Sequence, residues 1–148
     1  MDSVYHKLKE FFREYEVRFN KAMAGTIDTE ATANVFASCF IEANPFGVNC
    51  GKNDDQFRAM IPKGYEFYRS IGTKSMKIAS LKITSLDDYH SMAKAHWQAI
   101  YNKKDGSEES IEFDVIYFVQ GINDQLKIFA YITGDEQGVL RERGLIPG

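Results

Sequence analysis

Apolar residues recur at Val4, Leu8, Phe11, Phe12, Tyr15, Phe19 and Met23, at intervals of three and four that gather them on one face of a helix ending at Gly25. Asp28 then stands as an N-cap, because its short carboxylate can accept a bond from a free amide of the next turn. A short helix is predicted from there through about Ala37, followed by the strand CFIEA. Beyond the turn NPFG, Asn53 and Gln56 have the spacing of a capping box and open a helix carrying Phe57, Met60, Ile61, Tyr65 and Tyr68. Pro62 and Gly64 are expected to kink or split that helix, since proline lacks an amide donor and crowds the preceding turn.

From Ser75 onward the pattern becomes extended, in the segments SMKIASLKITSL, DYHSMAKAHWQAIYNK, SIEFDVIYFVQG and DQLKIFAYITG. The turn-forming DD, KKDGSEE and GIND separate them, as expected of an antiparallel meander. Helices followed by a long antiparallel sheet give an α+β fold, with the helices packed on one sheet face, and residues 1–148 form a single domain.

Side chains of a strand alternate between faces, so each segment divides by parity. One face of the last two strands carries Phe113, Val115, Tyr117 and Val119 with Leu126, Ile128, Ala130 and Ile132, and is assigned to the helices. The other carries Glu112, Asp114, Ile116 and Phe118 with Lys127, Phe129, Tyr131 and Thr133. Its four large apolar groups, Ile116, Phe118, Phe129 and Tyr131, sit in a polar frame and predict a homodimer through this face. In the preceding strand Ala93, Ala95, Trp97, Ala99 and Tyr101 share a face, and the small residues permit either close helix packing or a cavity.

Composition narrows the classes of function. A formal net charge of −3, with no basic run longer than Lys103-Lys104, gives no footprint for nucleic acid. No apolar run approaches the roughly 20 residues of a membrane span, and the start MDSVYHKLKEFF lacks the core of a signal peptide, so a cytoplasmic protein is expected. Cys39 and Cys50 lack a CxxC spacing and read as reduced packing thiols. His90 and His96 would lie roughly 20 Å apart along one strand, too far to share a metal, and no metal or cofactor is expected.

Over Val4 to Thr133 the chain resembles the nuclear transport factor two-like superfamily, in its ketosteroid isomerase and SnoaL-like branches. FASCFIEANPFG is similar to the strand and turn that present a catalytic carboxylate just before a proline, and FDVIYFV to the strand that lines the pocket. The resemblance implies a cone-shaped, cystatin-like fold with N-terminal helices on a curved antiparallel sheet, around a pocket for a small apolar ligand. It also implies isomerase or lyase/cyclase-type acid–base chemistry wherever the chain is an enzyme. The family's carboxylate falls on Asn44, whose carboxamide cannot act as a general base near neutral pH. Tyr117 falls on the strand position that hydrogen-bonds a developing enolate, and Tyr15 lies on the helix that supplies the partner donor.

The residues read as ligand contacts are Asn44, Trp97, Phe113, Val115, Tyr117, Tyr15 and Phe19. Asn44 has a second reading, in which its side chain bonds the turn backbone, and Glu42 reads as a solvated strand charge. The alternative to a ligand-binding protein is a non-catalytic domain that associates through its sheet face.

Overall fold

The computed structural model describes residues 2–148. Helix α1 (Asp2–Met23) and helix α2 (Thr29–Asn34) lead into a hairpin of β1 (Phe36–Asn44) and β2 (Gly47–Lys52). Helix α3 (Asp55–Ser70) precedes β3 (Thr73–Ser85), β4 (His90–Asn102), β5 (Glu108–Ile122) and β6 (Gln125–Ile132), and α4 (Glu136–Glu142) follows them. The six strands make one sheet in the order β2-β1-β6-β5-β4-β3, with the α1–α3 layer on one face, and the architecture is α+β. No helix among the described residues is long and apolar enough to cross a membrane.

Several elements depart from the sequence pattern for identifiable reasons. The sheet is mixed rather than wholly antiparallel, because β1 runs parallel to β6. β2 escapes prediction because GVNCGK is an exposed edge strand with no buried face to impose alternation. A Cβ at its Gly51 would lie 2.7 Å from the Phe40 ring, so a larger residue there would have to displace that ring. Helix α2 ends at Asn34, so β1 begins three residues earlier than the pattern suggests, at Phe36 in place of Cys39. Asp28 caps α2 as expected, its Oδ1 accepting the Ala31 amide at 3.1 Å.

Asp54, one residue beyond the predicted Asn53, caps α3 by accepting the Phe57 amide at 2.9 Å. Asn53 instead donates to the carbonyls of Ala33 and Phe36, tying the end of α2 to the start of β1. Pro62 lies inside α3, which runs unbroken from Asp55 to Ser70. Ile61, Tyr65 and Tyr68, packed toward the core on either side of the proline, hold both halves in place, and tertiary packing outweighs the local defect.

Helix α1 closes the sheet edge as well as the core. Leu8, Phe12, Phe19 and Ala22 are buried. On an adjoining stripe, Asn20 donates to the Met76 carbonyl at 2.7 Å and accepts its amide at 2.8 Å, while Glu16 accepts the Ile78 amide. β3 is an edge strand, and these side chains occupy backbone groups that would otherwise face a missing neighbour.

The meander turns tightly at Asn123 and Asp124, both at positive φ, as a two-residue hairpin requires. The burial of β4 alternates strictly, with Ala93, Ala95, Trp97, Ala99 and Tyr101 all inside. Between β5 and β6 the register slips: Phe118 opposes Ala130, but Val119 opposes Ile128. This bulge adds one residue to β6 and reverses its parity, so Leu126 and Ile128 face inward but Ala130 and Ile132 do not. Tyr131, assigned by alternation to the outer face, lies opposite Tyr117 on the inner one.

Candidate functional site

A cavity of about 440 Å³ lies between the helices and the inner sheet face. Its deep wall belongs to β4 and β5, through Trp97 and Tyr101 and through Ile111, Phe113, Val115 and Tyr117, while Ala93, Ala95 and Ala99 are buried in the core and do not border it. Tyr15 and Phe19 of α1, Ile61, Tyr65 and Tyr68 of α3, and Val139 and Leu140 of α4 complete the enclosure.

Three aromatic residues meet at its inner end. The Trp97 indole donates to the Tyr117 hydroxyl at 3.2 Å, and both are buried. The Tyr15 ring lies 5.9 Å from Tyr117 and 6.0 Å from Trp97. Burial pushes the Tyr15 hydroxyl up to about 12, only partly offset by hydrogen bonding with Tyr117 and by the charge of Arg18. Burial drives Tyr117 well above the ordinary phenol range, with Tyr15 adding to the rise. Both phenols therefore keep their protons at neutral pH and present donors rather than bases.

Four acidic residues border the cavity: Glu112 bonds His96, Asp135 caps α4, and Glu42 and Glu136 are each held by a tyrosine. Tyr131 donates to Glu42 Oε2 at 2.7 Å, and Tyr68 donates to Glu136 Oε2 at 2.7 Å. Glu136 stands at the rim, exposed over part of its surface, yet enough protein surrounds its carboxyl to raise its pKa. Loss of solvation is the larger cause and the charge of Glu42 adds to it, while the Tyr68 bond opposes both. Burial, reinforced by the neighbouring carboxylate, raises Tyr131 and Tyr68 as well.

The structure brings Tyr15, Phe19, Trp97, Phe113, Val115 and Tyr117 to the cavity and leaves Asn44 out of its wall. Asn44 Oδ1 accepts the Phe46 amide at 2.9 Å, so this side chain organises the β1–β2 turn. Glu42 is not the solvated charge its sequence position suggested. Because β1 lies beside β6, Glu42 pairs in register with Tyr131 and turns with it into the cavity.

The groups missed by sequence each had a structural disguise. Tyr131 was hidden by the bulge, Glu42 by the parallel pairing of β1, and Glu136 by the unread helix α4. The two histidines of β4 serve the outer face: His96 bridges Asp114 and Glu112 at 2.7 Å each, and His90 bonds Asp87 at 2.8 Å. Among the described residues no group of three or more His, Cys, Asp or Glu side chains is arranged to hold a metal ion.

Residues 6–136 match the family described as NTF2-like protein (DUF6841), and the chain belongs to that family. Among curated proteins, none matches the sequence. Solved structures share the fold at low identity. Aln2 from a Streptomyces species is 14% identical, with a TM-score of 0.68 over 97% of this chain and 98% of that one. A candidate scytalone dehydratase from Novosphingobium aromaticivorans is 12% identical, with a TM-score of 0.64 over 88% and 82%. A candidate calcium/calmodulin-dependent protein kinase II association domain from Xanthomonas campestris is 11% identical, with a TM-score of 0.61 over 86% and 84%.

Proposed function

We propose that this member of the NTF2-like family binds a small, predominantly apolar carbonyl compound and moves a proton on it, in isomerase- or lyase-type chemistry with Glu42 as the base. The observation that carries this reading is the Glu42 carboxylate, bonded by Tyr131 inside an apolar chamber that also presents Tyr15 and Tyr117.

The chemistry follows from the placement of charge. When a carboxylate removes a proton beside a carbonyl, the C–H electron pair moves toward oxygen and an enolate develops. Donors fixed in a chamber with little water stabilise that oxygen more than water would, because they need not reorganise as the charge forms. Tyr15 and Tyr117 remain protonated and fit this role. Glu136, whose carboxyl pKa is raised mainly by loss of solvation, supplies a second acid–base group at the cavity rim. That the same fold occurs in a candidate scytalone dehydratase accords with the reading.

The test is α-proton exchange of 2-tetralone in deuterated water, followed by proton NMR. Exchange faster with the protein than in buffer of the same pH is expected. Equal rates, with the ketone in excess of any binding constant, refute the assignment.

A second reading concerns the outer sheet face, where Ile116, Phe118 and Phe129 remain, and Ile132, 41% exposed, takes the place expected of Tyr131. The Phe118 and Phe129 rings lie 6.1 Å apart with the His90 ring 5.8 Å from Phe129, and Lys94 and the His96–Asp114–Glu112 group stand further along the same face. We propose that a second copy of the chain covers this face, a role consistent with the association domain among the structural neighbours. Light scattering at tens of micromolar, roughly where specific interfaces are populated, is expected to give a dimer mass for the wild type and a monomer for Phe118→Glu. A monomeric wild type refutes it.

A further inference from the structure

The cavity wall includes one permanent cation that the proton-transfer reading does not use. Arg18 lies on α1, three residues past Tyr15 and beside Phe19, half-buried against the cavity. Among the described residues its guanidinium has neither an ion-pair partner nor a hydrogen bond. The other arginines differ: Arg13, Arg58, Arg69 and Arg143 each hold a glutamate, and Arg141 is exposed on α4.

None of the acidic residues that border the cavity bonds Arg18: Glu42 accepts from Tyr131, Glu136 from Tyr68 and Asp135 from the Gly138 amide, and Glu112 bonds His96. A half-buried guanidinium has given up part of its hydration without receiving an anion, so its donors stand ready for one. The planar fork of an arginine matches the two oxygens of a carboxylate, which it binds through two parallel charge-assisted bonds. Arg18 and Tyr15 stand one turn apart on α1 and both border the cavity, so an anion held by Arg18 would lie toward the donor end.

We infer that the ligand carries a carboxylate, and that Arg18 is the residue that selects it. The inference rests on the ligand-binding reading of the cavity and narrows it to a flat apolar body with an anionic head. Combined with the proposed chemistry, the substrate class is a cyclic or aromatic keto acid. The aromatic wall takes the ring system, Arg18 takes the carboxylate, and the carbonyl reaches Tyr15 and Tyr117.

The test compares naphthalene-2-carboxylate with naphthalene-2-carboxamide, nearly equal in size and different in charge, by titration calorimetry against the wild type, Arg18→Met and Arg18→Lys. The wild type is expected to bind the carboxylate about tenfold more tightly than the amide, the order of preference that one charge-assisted pair supplies. Arg18→Met should abolish the preference, and amide binding that persists in it also shows that the variant is folded. Arg18→Lys should retain part of the preference, having the charge without the fork. Amide binding with no preference in the wild type, or a preference that survives Arg18→Met, overturns the role of Arg18 and leaves the cavity reading intact. Failure of both ligands to bind the wild type overturns the two together.

Discussion

Glu42→Gln is expected to slow proton exchange on a bound ketone by about 10² to 10⁴, with ligand affinity nearly unchanged. Glutamine has the size of glutamate, and its carbonyl oxygen can still accept the Tyr131 hydroxyl that holds Glu42 Oε2 at 2.7 Å, so the strand and the cavity wall stay as they are. Only the lone pair able to take a proton at neutral pH is lost. The effect should therefore fall on kcat and spare KM, the signature of an interaction made in the transition state. Asn44→Ala is the informative contrast. It removes the bond to the Phe46 amide, at a stability cost on the order of 1 kcal/mol, and leaves the exchange rate alone, because Asn44 is not part of the cavity wall. A rate that falls with Asn44→Ala and survives Glu42→Gln would reverse the two assignments.

Phe12→Ala is expected to cost about 3 to 5 kcal/mol of folding stability, the range for removing a fully buried aromatic ring from a core that cannot collapse around the gap. Phe12 is 0% exposed and is not among the cavity-lining residues. Its ring lies 5.0 Å from Tyr117 and 5.1 Å from Phe11, and so fastens α1 to the middle of the sheet. A domain of this size has on the order of 5 to 15 kcal/mol of total stability, so the loss should lower the urea midpoint sharply with little change in slope. A loss below about 1 kcal/mol would show that α1 is held chiefly by its edge contacts through Glu16 and Asn20.

What was legible in the chain was whatever one-dimensional periodicity governs. The three-and-four spacing of α1 placed Leu8, Phe12, Tyr15 and Phe19 correctly, and the alternation of β4 placed Ala93, Ala95, Trp97 and Ala99 on one buried face. The matching motifs extended this to the family, and six of the seven residues chosen as ligand contacts border the cavity.

What was hidden depends on pairing between distant segments. A bulge of one residue in β6 leaves no mark in a sequence whose inner and outer positions are both apolar, yet it moves Tyr131 from one face to the other. The parallel seating of β1 against β6 decides that Glu42 faces the cavity, and no feature of CFIEA announces that neighbour. Asn44 was the conspicuous residue because it precedes a proline. The carboxylate that reaches the cavity stands two positions earlier, one full strand repeat away.

Trp97 is the single tryptophan of the chain, and its indole N–H lies at the inner end of the cavity, bonded to Tyr117. Its resonance in a proton–nitrogen correlation spectrum therefore reports directly on whether a ligand enters. Titration with 2-tetralone is expected to move that one indole signal progressively and saturably, as the Trp97–Tyr117–Tyr15 group adjusts to an occupant. An indole signal that stays fixed while amides on the outer sheet face shift would place the ligand on the outside of the sheet and contradict the central claim that this cavity is the site.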